Sequence, residues 1–210
     1  MNKDRNDSTI LGRLVHSDAW GFSFCPQNPE LPDIHLGCLV RAEVNPEIQT
    51  LAVVTNLGWA GDGLSEQLAV TEPIDNALLE EDRQRNGGPI ILARFVGYIQ
   101  NGRICQCLPP RPPSALTCIH QGEDAQWTTF TVNHAYLRLL YAGRTEFPFV
   151  DVLAHLASAA ETLQAAAGRL DWMRGLISAL VKVTEGDHAL LRNLIYAISN
   201  RSFDTPYIGE

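Results

Sequence analysis

Ile10-Leu11-Gly12-Arg13-Leu14-Val15, followed after a short polar gap by Asp18-Ala19-Trp20-Gly21-Phe22-Ser23-Phe24, sets the reading of the chain. Two short apolar-rich runs separated by turn-forming residues read as a strand pair, here over 9–16 and 20–25. Ser17 and Asp18 form the turn, because short polar side chains bond nearby backbone. Outward from this pair the pattern repeats. Pro26 to Asp33 contains three prolines, which cannot donate to a ladder and are excluded from a sheet interior. A third strand is predicted over 37–44, a turn at Asn45-Pro46-Glu47 and a fourth strand over 48–57. Within that strand Leu51 to Val54 is apolar without interruption, the mark of a strand covered on both faces.

Gly58-Trp59-Ala60-Gly61-Asp62-Gly63 is a glycine-rich loop, and 74–85 reads as a helix stopped by Asn86-Gly87-Gly88. The stretches 89–100 and 103–108 then form a hairpin around Asn101-Gly102. That dipeptide favours positive φ at both turn positions. Leu108-Pro109-Pro110-Arg111-Pro112-Pro113 is extended and stiff and is expected to end the barrel. After a polar linker over 121–126 and an extended piece over 127–132, the period becomes helical. Helices are predicted over 133–143, 149–167, 171–184 and 187–199, the last three starting near Asp151, Asp171 and Asp187, where carboxylates oppose the helix dipole. The stripe of Val152, Leu153, Leu156, Ala157, Ala160 and Leu163 reads as a bundle core rather than a cofactor box. The fold class is α+β: a small N-terminal β-barrel over 8–120 followed by an α-helical domain over 130–202.

Composition restricts the function. The 210 residues carry a net charge of −8, with no basic run, so tight direct nucleic-acid binding is not expected. The polar start Met1 to Asp7 lacks the apolar core of a secretory signal. No apolar run approaches the roughly 18 residues that span a bilayer. The five cysteines, Cys25, Cys38, Cys105, Cys107 and Cys118, read as reduced thiols packed as small hydrophobes in a cytoplasmic protein.

No catalytic signature emerges. Gly58 and Gly63 have the separation of a phosphate loop, but Leu64 followed by Ser65 comes next, and without a Lys there is no charge to hold a triphosphate. Cys105-x-Cys107 lacks the further ligands of a tetrahedral metal site. Asp151 and His155 share a helix face, with Glu161 further along, and are the one place where carboxylate and imidazole chemistry could support an enzyme. Neither a cofactor nor a metal is implied. The aromatic residues Trp20, Phe22 and Trp59, with Arg111 on the proline strap, are the candidate partner contacts, because aromatic and arginine side chains anchor interfaces.

Leu11-Gly12-Arg13-Leu14-Val15, Gly37-Cys38-Leu39-Val40, Leu51-Ala52-Val53-Val54-Thr55-Asn56 and the final strand into Leu108-Pro109-Pro110 resemble, in order, the HAS barrel. This is the small barrel shared by HerA-type DNA translocases and F-type ATP synthase subunits. The resemblance covers about half the chain and lacks the ATPase domain with its Walker motifs. It implies ring assembly or partner docking without a motor. The expected function is a non-catalytic adaptor or assembly module that binds a protein partner, either a second copy or a larger assembly such as an ATPase. The alternatives are an accessory subunit of a HerA-like DNA-processing machine and a hydrolytic enzyme using Asp151 and His155.

Overall fold

Alternation decides which side of each strand faces inward. In the computed structural model, which describes residues 10–28, 34–59 and 89–201, seven strands form one sheet. They are β1 (Ile10–Ser17), β2 (Gly21–Pro26), β3 (Leu39–Asn45), β4 (Ile48–Trp59), β5 (Pro89–Gln100), β6 (Arg103–Cys105) and β7 (Cys118–Gln121). The order β2-β1-β7-β3-β4-β5-β6, with β2 also pairing β5, closes six strands into a barrel and leaves β6 as an extension beside β5. Neighbouring strands are antiparallel throughout. Leu14, Phe22, Phe24, Val40, Val54, Ile91, Phe95 and Ile119 fill the interior.

Five helices follow among the described residues: α1 (Asp124–Phe130), α2 (Leu137–Ala142), α3 (Phe149–Ala166), α4 (Trp172–Val183) and α5 (His188–Arg201). The last three match the predicted stripes closely. Asp187 caps α5 by accepting the Leu190 N–H at 3.0 Å. Asp151 lies in the first turn of α3, where the dipole favours it.

The helices share a core with the barrel. Leu51 and Val53 of β4, Leu39 of β3 and Val96 of β5 pack into the same apolar cluster as Leu140, Val152, Leu153, Leu156 and Leu176. Ala52 and Val54, pointing the other way, belong to the barrel interior. The uninterrupted run Leu51 to Val54 is therefore buried on both faces, as its composition predicts. Gly37 sets how closely α3 approaches. Its φ is +79°, and a Cβ there would lie 2.7 Å from the Leu156 nitrogen and 2.8 Å from the Val152 oxygen.

Several expectations are corrected. The barrel does not end at the proline strap: β7 follows it and inserts between β1 and β3. Four residues, Cys-Ile-His-Gln, with one buried side chain are too few to show a period. The piece expected to be extended over 127–132 is mostly helix α1. Its β-branched residues are accommodated because Thr128, Thr129 and Thr131 each donate their hydroxyl to the carbonyl four residues earlier, while Trp127 and Phe130 are buried together. The second hairpin strand stops at Cys105 rather than continuing to 108. Gln106 turns away to the helical half, donating to the carbonyls of Phe130 and Asn133 and accepting the Tyr136 N–H. The hairpin turn has the expected geometry, with φ of 50° at Asn101 and 74° at Gly102. The helix predicted over 74–85, residues 60–63 of the glycine-rich loop and both chain ends lie outside the described residues.

Two predictions follow from this packing. Gly37→Ala, strained in φ and clashing with the backbone of α3, is expected to lower stability by about 2–4 kcal/mol in urea denaturation; a loss below about 0.5 kcal/mol would show that α3 can retreat. His134 lies between Trp172 and Tyr136, with ring centres at 5.4 and 6.4 Å, and burial lowers its pKa below the ordinary 6.5. The native state resists protonating it, so its effect is absent above pH 6.5 and stability falls as the pH drops below that value. The urea midpoint is expected to fall between pH 7 and 5, and His134→Gln to flatten that decline.

Candidate functional site

A cleft of about 190 Å³ opens where the outer surface of the barrel meets the segment joining α2 to α3. Its floor follows from strand register. Gly21 pairs with Arg94, and Ser23 of β2 and Asn56 of β4 both pair with Leu92 of β5. Phe22 and Ala93 alternate inward, so these residues alternate outward. Leu92 is 43% exposed on this floor.

One wall is Trp20, 47% exposed in the turn between β1 and β2. The turn is fixed by Asp18, whose Oδ1 accepts the N–H groups of Trp20 at 2.7 Å and Gly21 at 3.0 Å. The Trp20 carbonyl also accepts the Phe95 N–H at 2.9 Å. The opposite wall is Glu146 and Phe147. Arg94 joins the two. Its guanidinium carbon is 5.6 Å from the centre of the Trp20 ring and 5.7 Å from that of Phe147. Its Nη2 donates to Glu146 Oε2 at 2.6 Å. The Arg94 side chain is only 11% exposed, so this ion pair is less screened than a surface pair. Gly143 makes room for it, since a Cβ there would overlap the guanidinium, 1.7 Å from Nη1.

The remaining rim is polar and available. His16, Ser23 and Asn56 line the cleft, and among the described residues their side chains make no hydrogen bond. His16 and Ser23 sit opposite each other across β1 and β2, with Asp18 nearby, but no hydrogen bond links the three. Asp18 is committed to the backbone of its own turn. This is not the linked arrangement by which a base activates a hydroxyl. The cleft combines an aromatic wall, an apolar floor and a partly polar rim.

The residues expected from sequence separate. Trp20 forms the cleft wall. Phe22 is buried, 4% exposed, with its ring against Phe24 and Phe95 inside the barrel, and it also contributes to the cleft lining. Trp59 ends β4 opposite Pro89, and its side chain is outside the described residues. Arg111 is exposed on the proline strap and does not line the cleft. Asp151 and His155 lie on α3, where the His155 ring is 6.0 Å from that of His35, and neither lines the cleft. Among the described residues no group of three or more His, Cys, Asp or Glu could hold a metal ion, and no helix is long and apolar enough to cross a membrane.

The cysteines also differ from expectation. None of the five is in a disulfide, but only Cys38 is buried and Cys25 is exposed. Cys105 and Cys107 lie beside Tyr98, which faces Cys105 across β5 and β6. A hydrogen bond with Cys105, together with desolvation, raises the Tyr98 pKa to about 12.

Sequence reasoning missed Arg94, Glu146 and Phe147. The available signal was Arg94 itself, the one charged residue in the twelve-residue strand β5. A charge amid so apolar a run asks for a partner. No protein-family model matches the chain and no curated protein is significantly similar to it.

Gly143→Ala tests how the cleft is held together. The methyl group displaces the Arg94 guanidinium from between the rings, and stability is expected to fall by about 1–3 kcal/mol. Trp20 fluorescence should shift to the red as the indole loses its stacked neighbour. An unchanged spectrum would show that Arg94 does not order Trp20.

Proposed function

We propose that this protein is a non-catalytic adaptor or assembly module that docks a protein partner at the cleft beside Trp20. The observation that carries the reading is the indole itself: half-exposed, yet held by the Asp18 turn on one side and stacked with Arg94 on the other. An aromatic side chain fixed before binding loses little entropy when a partner covers it, which is the character of an interface hot spot. The volume argues in the same direction. About 190 Å³ is below the roughly 300–1,000 Å³ of small-molecule sites and suits one inserted side chain.

The resemblance of the strand motifs to HAS barrels makes a larger assembly such as an ATPase, including a HerA-like DNA-processing machine, the kind of partner this module would serve. The net charge of −8 favours a role through protein contacts over direct DNA contact. Cysteines outside any disulfide fit a reducing compartment, and we infer a cytoplasmic protein on that ground.

The test is affinity purification of the tagged chain from its native host at physiological salt, with mass spectrometry, beside Trp20→Ala. The wild type is expected to recover a partner at near-equal amounts. Loss of a hot-spot aromatic, worth about 2 kcal/mol or more, should reduce that recovery at least tenfold. Undiminished recovery with Trp20→Ala would remove the cleft from the interface. Recovery of the wild-type chain alone would overturn the adaptor reading.

A further inference from the structure

Cys105 and Cys107 flank a residue that ties the barrel to the helices. The Gln106 side chain donates to the carbonyls of Phe130 at 2.7 Å and Asn133 at 2.9 Å, and it accepts the Tyr136 N–H at 3.1 Å. Its backbone carbonyl accepts Arg138 Nη2 at 3.1 Å. Ile104 of β6 packs against the same helical core. Ile104 and Gln106 therefore face the helices, and alternation turns Cys105 the other way.

On that other face two thiols meet one phenol. Tyr98 stands opposite Cys105 in the β5–β6 register, and its hydroxyl hydrogen-bonds with both Cys105 and Cys107. Two sulfurs within hydrogen-bonding reach of one oxygen are close to each other. Both thiols are partly exposed, and Cys105 lines an open hollow with Gln100, Asn101 and Arg103. The bond with Cys105, and then desolvation, raises the Tyr98 pKa to about 12. The phenol thus keeps its proton where thiolates form, and can donate it to a sulfur that carries negative charge. An accessible thiol with a second one beside it is the arrangement by which cysteines respond to oxidants. In reducing compartments such pairs are oxidised only transiently.

We propose that Cys105 and Cys107 form a reversible redox site, oxidised to a disulfide by a hydroperoxide, and that the disulfide loosens the hold of Gln106 on the helices. In the first step one sulfur attacks the peroxide. An S–O bond forms, the O–O bond breaks, and the thiol proton leaves with the departing oxygen as water or an alcohol. In the second step the other sulfur attacks this sulfenic acid. The S–S bond forms, the S–O bond breaks, and hydroxide departs as water with the second thiol proton. Two thiols are oxidised and one peroxide is reduced. Two residues of strand span about 6.6–6.8 Å between Cα atoms, whereas a disulfide prefers about 5.5–6 Å. Bridging Cys105 to Cys107 draws the chain in around Gln106, away from the spacing its bonds to the helices require. A bridge strained in this way is readily reduced again. The site is separate from the Trp20 cleft, which neither cysteine lines.

The experiment treats the reduced full chain with one equivalent of hydrogen peroxide, counts thiols in denaturant and maps the product by mass spectrometry of a tryptic digest. The thiol count is expected to fall from five to three. The peptide holding Cys105 and Cys107 should lose the mass of two hydrogen atoms, and dithiothreitol should restore all five thiols. Cys105→Ser and Cys107→Ser should each form no disulfide within the chain, and Cys25→Ser should behave as wild type. In the disulfide form the Tyr136 amide, which Gln106 accepts, should exchange with deuterium about tenfold faster than in the reduced form, the fold-change of one lost hydrogen bond. Five thiols left after peroxide, a disulfide at another pair of cysteines, a bridge that dithiothreitol does not reduce, or an unchanged Tyr136 exchange rate would each overturn the proposal.

Discussion

Strand β4 has no solvent face between Leu51 and Val54. Ala52 and Val54 complete the barrel interior, and Leu51 and Val53 lie beneath the helices. At about 25 cal/mol for each Å² of apolar surface removed from water, a buried leucine or valine contributes roughly 1.5–3 kcal/mol. Lifting the helices away would surrender that contribution for Leu51, Val53, Leu39 and Val96 together. The helical half is thereby held in one place on the barrel. Gly37 refines this placement by letting the backbone of α3 approach closer than any other residue would allow.

The cleft is a consequence of that placement. Trp20, Leu92 and Arg94 come from the barrel, and Glu146 and Phe147 come from the segment that the docked α2 and α3 hold. Arg94 works in both directions. Its ion pair with Glu146 and its contact with Phe147 bind the segment to the sheet, and its contact with Trp20 steadies the exposed indole. A buried arginine that stacks on two rings and pairs with a carboxylate has much of its desolvation cost offset. The result is an exposed aromatic side chain held between a turn and an arginine at the rim of a partly polar cleft.

Beyond the proline strap the backbone is bonded to β1, and the Leu116 side chain is left outside. Trp20 and Leu116 are both carried on connections anchored to β1, one by an aspartate turn and the other by paired backbone bonds.

The sequence by itself determined the local elements with strong patterns. Asn101-Gly102 specified the hairpin turn, the apolar run Leu51 to Val54 specified a strand covered twice, and the stripes through 149–199 specified three helices. These signals are local: turn sterics and side-chain period act within a few residues. Only the tertiary structure decided that Cys118–Gln121 closes the barrel, because so short a strand is defined by its neighbours β1 and β3. It decided that Trp127 to Phe130 is helical, since burial of those rings against the core outweighed their extended preference. It separated Trp20 from Phe22, two residues apart, as barrel closure turned one ring inward and the turn left the other outside. The cleft was also decided there: Arg94 and Glu146 are 52 residues apart, and only the shared core brings them together.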